Sequence, residues 1–271
     1  MEVPLSSASD MARRTALALS AALWLAASSA LAKDAAPPTP AAERSASQKS
    51  APGAKAGDKT APAKPEENAE HTWYAQALAR GAAGLNVTHF WSKGPWLRAE
   101  TVVGGHKVVN IVKGDWYYAY DGLTKRGLAI RRDPKAEAQD SPERRPFGRE
   151  YEILLKQGAE QVGEDNAFGR PVGIYRITDL LGKREVWVTQ DDKKLPLRLE
   201  IFDRKTTGTR VTDYVNWQSA LVIPDSFFEP EPGVQIEKIE LEQYIKRSVE
   251  EGPIGAVPVL YADLLHGKHE E

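Results

Sequence analysis

The stretch that most constrains this chain runs through residues 86–120, NVTHFWSKGPWLRAETVVGGHKVVNIVKGDWYYAY. Apolar and polar residues alternate along it, and glycine-bearing dipeptides break the alternation, the pattern of consecutive antiparallel strands. Leu97, Ala99, Thr101 and Val103 fall on one side of a strand, with Arg98 and Glu100 on the other. Gly104-Gly105 suits a two-residue hairpin loop, because both positions of a type I′ turn need positive φ. The following strand carries Val109 and Ile111 on one face. Gly114-Asp115 turns the chain again, and Trp116, Tyr118 and Tyr120 share a face beyond it. A meander with one apolar side must cover that side with helices, a second sheet or a ligand.

The second half repeats the theme. Residues 169–179 place Tyr175 and Ile177 on one face, and 184–190 form a short β-branched strand. Trp187 is ambiguous there, since Val186 and Val188 opposite it are equally apolar. Residues 195–203, LPLRLEIFD, make the clearest strand in the chain: Leu195, Leu197, Leu199 and Ile201 face one way, Arg198 and Glu200 the other. Val211, Val215 and Trp217 align on the strand after it. Between the halves, 133–145 is charged and aperiodic and reads as a surface loop. A helix is expected over 147–157, because Phe147, Tyr151, Leu154 and Leu155 recur at helical spacing before a capping Gly158. Two more helices are expected over 70–80, with Trp73 and Leu78, and over 240–249. The residues from Glu250 onward read as a loosely held tail.

The N-terminal part has a different character. Residues 11–32 show two arginines, an apolar run and an Ala30-Leu31-Ala32 site, the anatomy of a cleavable secretory signal peptide. The first ten residues fit poorly as a signal start, so Met11 is the expected initiator. An uncleaved anchor helix is the alternative, against which the run is shorter than the ~20 residues a span requires. Residues 33–68, rich in Ala, Pro and Lys, lack the aromatic and branched side chains that offset ordering entropy, and read as an extended tether.

Composition removes several functions. Lys plus Arg total 36 and Asp plus Glu 38, so no net charge selects nucleic acid. The chain has no cysteine, which excludes disulfides, thiolate catalysis and cysteine-based zinc sites. No nucleophile elbow, zinc-protease, phosphate-loop or dinucleotide pattern occurs. His266 and His269 have metal-ligand spacing but sit in the expected tail, where solvated surface is the ordinary fate of such a pair. His89 and His106 are isolated. Arg144, Arg145 and Arg149 cluster near the expected lid helix, as lipid-headgroup contacts or simply as a solvated helix end. No catalytic residue, metal or cofactor is expected.

Several segments together resemble a known family: Trp91-x-Lys93-x-Pro95, Leu97-Arg98-x-Glu100 and Gly114-Asp115-Trp116-Tyr117-Tyr118, followed by GAEQVGEDNAFGRPVGIYRITD, VWVTQDDKKLPLRLEIFD and IPDSFFEPEPGVQI. They are similar to the periplasmic lipoprotein-carrier superfamily, the LolA/LolB-like proteins, over roughly residues 86–236. The resemblance implies a mainly β, α+β fold: a curved, incomplete antiparallel β-barrel spanning 69–250, with helices covering its concave face. It also implies a periplasmic monomer that holds lipoprotein acyl chains or another lipid-like ligand, with inner- or outer-membrane proteins as partners. Within such a family, the absence of cysteine argues against the lipid-anchored receptor type. A non-transporting envelope sensor or interaction domain on the same fold is the alternative.

The expected apolar lining is Leu97, Val109, Ile111, Tyr175, Leu197, Leu199, Ile201, Val211 and Val215, and the expected lid is Phe147, Tyr151, Leu154 and Leu155. Each of these residues singly is better explained by an ordinary core, and the functional reading belongs to the set. Moving an acyl chain through water costs about 0.8 kcal/mol per exposed methylene, so a carrier needs a dry hollow rather than catalytic groups.

Overall fold

A computed structural model describes residues 71–82 and 84–267. The signal-like and tether segments lie outside the described residues. Twelve strands build one open sheet: β1 (Thr72–Gly81), β2 (Gly84–Lys93), β3 (Trp96–Val103), β4 (His106–Lys113), β5 (Trp116–Asp121), β6 (Arg126–Arg131), β7 (Glu160–Ala167), β8 (Arg170–Thr178), β9 (Gly182–Thr189), β10 (Pro196–Asp203), β11 (Gly208–Ser219) and β12 (Gln235–Ile239). Their spatial order is β12-β6-β5-β4-β3-β2-β1-β11-β10-β9-β8-β7. The sheet is curved and does not close, as expected for an incomplete barrel. Every pairing is antiparallel except that of β12 with β6.

Strand β1 corrects the helix expected over 70–80. Its alanines favour a helix locally, but Trp73, Ala75 and Ala77 also alternate with Tyr74 and Gln76. The segment pairs with β2 along its whole length and with β11 on its other edge. Two ladders of hydrogen bonds override the local preference. The strand therefore joins the two meanders into one sheet.

Among the described residues, four short helices decorate it: α1 (Pro134–Ala138), α2 (Glu150–Lys156), α3 (Leu241–Glu250) and α4 (Asp263–His266). Helix α1 interrupts the expected 133–145 loop. Asp133 caps it by accepting the Lys135 N–H at 2.8 Å, and Pro134 occupies the first turn, where a missing N–H costs nothing.

The two faces of the sheet are covered differently. On one face, Leu97, Ala99, Val108, Val112, Tyr117, Leu128 and Ile130 form a core with Val257 and Leu265 from the C-terminal segment. That segment is not a loose tail. The Leu260 N–H donates to Asn110 Oδ1 at 3.1 Å, and the Tyr261 N–H donates to the Tyr117 hydroxyl at 3.1 Å. Arg132, itself buried, donates to the Leu264 carbonyl at 2.7 Å. The opposite face packs Val109, Ile111 and Tyr120 beneath a strap, residues 221–234, whose 3-10 turn (Asp225–Phe228) inserts the fully buried Phe228.

Candidate functional site

The expected lining residues fall on two faces. Register explains the split. The two-residue turn pairs Val103 with His106, so Leu97 lies opposite Val112 while Arg98 lies opposite Ile111. Odd-numbered residues of β3 therefore share a face with even-numbered residues of β4. Val109 and Ile111 consequently belong to the strap side and do not join Leu97, a correction that separates two of the nine lining candidates. The same parity holds between β10 and β11, where Leu199 faces Thr212 and Glu200 faces Val211. Val211 and Val215 thus also point away from Leu199. A bulge near Asn216, whose φ is 56°, returns Trp217 to the Leu199 side and breaks its expected alignment with Val215.

What remains together is Tyr175, Leu199 and Ile201, in register with Val186 and Arg184 on β9. Ile177 joins them. Leu197 is buried at a bulge where β10 meets β9. Leu97 lies on the same broad face but is fully covered by the C-terminal core.

The lid residues separate as well. Helix α2 lays Leu154 against Val186 and Val188, and stacks the Tyr151 ring edge-on to Tyr175 at 4.7 Å. Leu155 is turned outward and 40% exposed. Phe147 precedes the helix and packs between Phe90 and Trp217, with ring centroids at 5.0 and 5.6 Å. It is part of the closed core rather than a lid.

A seam of aromatic and charged groups divides the closed region from the α2 region. Tyr214 donates to Glu150 Oε1 at 2.6 Å. The Arg145 guanidinium stands 5.1 Å from the ring centres of both Trp73 and Trp217. Burial pushes the Tyr214 hydroxyl well above its ordinary pKa, and the Glu150 charge pushes it further in the same direction. The hydroxyl therefore stays a donor. The sequence reading missed this seam; the signal was present in Trp217 and Tyr214, hidden by the unforeseen bulge between them.

A separate pocket of about 670 Å³ opens at the sheet end where β5, β6 and β12 meet, beside His106, Asp121, Thr124 and Arg126. Asp121 accepts hydrogen bonds from His106 Nδ1 at 2.7 Å and from the Thr124 hydroxyl and Leu123 N–H at 2.8 Å. Burial alone raises its pKa, but these donors outweigh burial and bring it from 3.8 to about 2. A carboxylate held lower in the folded state stabilises the fold above its unfolded pKa and loses that contribution as pH falls through the folded one. Wild-type protein should therefore lose denaturation midpoint between about pH 5 and pH 2 more steeply than Asp121→Asn. Parallel slopes in urea titrations at the two pH values would refute that role.

Among the described residues there is no cluster of three or more His, Cys, Asp or Glu side chains arranged for a metal, and no helix is long and apolar enough to cross a membrane.

No protein-family model and no curated protein matches the chain. Solved structures of similar fold do. An uncharacterized conserved protein from Thermus thermophilus aligns over 65% of this chain and 94% of its own, at 12% identity and a TM-score of 0.46. The MucA/MucB complex structure from Pseudomonas aeruginosa aligns over 65% of this chain and 61% of the other, at 14% identity and a TM-score of 0.41. A putative outer membrane lipoprotein-sorting protein domain from Vibrio parahaemolyticus aligns over 61% and 92%, at 14% identity and a TM-score of 0.30.

Proposed function

We propose that the protein is a binding or carrier protein of the cell envelope that holds an acyl chain, or another slender apolar group, between α2 and the β8–β10 part of the sheet. One observation carries this reading. Tyr175, Ile177 and Leu199 are only half-buried against the α2 cluster, and Ile201 continues the same face half-buried beyond them, while the neighbouring half of that face is closed. A helix of seven residues is about 10 Å long. Three eight- or nine-residue strands present a surface roughly 27 Å by 14 Å, so α2 covers less than half of it. Burying six methylenes there is worth about 5 kcal/mol before the cost of association, so a longer chain binds correspondingly tighter. Export to the envelope rests on the leader pattern at 11–32.

The closed half favours a second reading, a non-transporting envelope sensor or interaction domain. Residues 257–265 occupy a surface that a large lipid guest needs. Two measurements separate the readings. Protein purified from its native envelope is extracted with organic solvent, and the emptied protein is titrated with a fluorescent twelve-carbon fatty acid. The carrier gives stoichiometric lipid and saturable binding, and Leu199→Glu weakens the probe tenfold or more while the protein stays folded. An empty protein that ignores the probe leaves only the interaction domain.

A further inference from the structure

The register brings several hairpin turns to one end of the sheet. Gly81 pairs with Gly84, Val103 with His106, Asp121 with Arg126, Thr178 with Lys183 and Asp203 with Gly208, and Arg80 at the end of β1 lies beside Val211 at the start of β11. All five turns therefore share one rim. Four leucines are exposed on it: Leu85 at 66%, Leu123 at 69%, Leu180 at 91% and Leu181 at 78%. Solvent-facing leucines scattered singly need no explanation, whereas four brought to one edge, three in hairpin turns and Leu85 at the start of β2, do.

The β8–β9 turn is built to hold its two leucines outward. Asp179 Oδ1 accepts the N–H groups of Leu181 and Gly182 at 2.9 and 3.1 Å, and its other oxygen pairs with Arg184. The Leu181 carbonyl accepts the Arg204 N–H at 3.0 Å, tying the turn to its neighbour. Gly182 lies against the Phe202 carbonyl so closely that no Cβ fits, which fixes the approach of the two turns.

Charge on this rim is sorted. Arg126, Arg204, Lys205 and Arg210 are exposed. Most of the nearby carboxylates are turned inward or occupied: Asp121 and Asp213 are buried, Asp179 is bonded as above, and Asp203 caps the N–H groups of Lys205 and Thr206. Glu160 and Asp203 are exposed acids beside them, against the four exposed cations. Apolar tips ringed by outward cations match a bilayer surface carrying anionic headgroups, where leucines enter the acyl boundary and each cation adds to the attraction.

We propose that this rim docks the protein on an anionic lipid bilayer, with Leu180 and Leu181 inserted. The α2 region opens beside the same rim, since Arg184 Nη1 donates to Gln157 Oε1 at the end of α2 at 2.8 Å. Docking does not depend on the guest-binding reading. The test is co-sedimentation with phosphatidylcholine vesicles, with and without phosphatidylglycerol. Binding should require phosphatidylglycerol, weaken with salt, and fall tenfold or more in Leu180→Asp/Leu181→Asp, whose melting temperature and fatty-acid affinity stay as in wild type. Leu199→Glu should sediment like wild type. Equal sedimentation of the double variant, or no sedimentation of wild type with either vesicle, overturns the proposal.

Discussion

Removing residues 251–271 should abolish cooperative unfolding of the sheet domain. Val257 and Leu265 are 8% and 2% exposed, and Ile254, Val259, Leu260, Tyr261 and Leu264 pack partly buried around them. Full burial of a Val or Leu side chain contributes about 1.5–3 kcal/mol, so the segment as a whole contributes on the order of 8 kcal/mol. That rivals the whole stability of an ordinary domain, about 5–15 kcal/mol. The truncation also takes from Arg132 its Leu264 carbonyl, and from Asn110 and Tyr117 their backbone donors. Circular-dichroism melts decide the matter: a truncated protein that melts as sharply and as high as the full chain would show that the segment is dispensable. The single substitution Leu265→Ala isolates the packing term, with an expected loss of about 2–5 kcal/mol.

This segment also shows where sequence reading stops. Alternation along residues 96–121 and 195–203 reveals the strands, and the Gly-Gly and Gly-Asp dipeptides reveal the turns, because both signals are local. Face assignment across a turn is not local. It follows from register, and a single turn length or one bulge at Asn216 exchanges the faces of everything beyond it. Val109, Ile111, Val211 and Val215 are misplaced by sequence for that reason alone. Tyr175, Leu199 and Ile201 come out together because parity switches from β8 to β9 and switches back from β9 to β10. The C-terminal segment hides for another reason. Its apolar residues Val257, Leu260, Leu264 and Leu265 stand at helical spacing, but Pro253 and Pro258 interrupt the stretch and only Asp263–His266 is helical, so the rest is ordered by the groove that receives it. Alanine content draws 70–80 toward a helix, and only the empty edges of β2 and β11 dictate a strand there.

Arg98→Ala should detach the strap from the far face at a cost of about 3 kcal/mol, the scale for breaking a buried charge network. Arg98 is 5% exposed and satisfied on every side. It donates to Glu100 at 2.7 Å, to the Phe227 carbonyl at 3.0 Å and to Glu231 at 3.0 Å, and its guanidinium lies 4.7 Å from the centre of the Phe227 ring. The other strap contacts follow the same polarity: Lys93 meets Asp225 at 2.8 Å and Lys113 meets Glu229 at 2.6 Å. Cations on the sheet hold carboxylates on the strap throughout. The partly exposed pairs are worth less than about 1 kcal/mol each, so Lys113→Ala should change little. Losing Arg98 is different, because the Phe227 carbonyl and the buried side of Glu100 are left without their donor. In a domain of this size the expected drop in melting temperature is roughly 6–12 °C. Trp91 and Trp96 pack under the strap, so their emission should shift to the red in the same variant. A variant that melts within a degree or two of wild type, with unshifted emission, would mean that Phe227 and Phe228 hold the strap by packing alone.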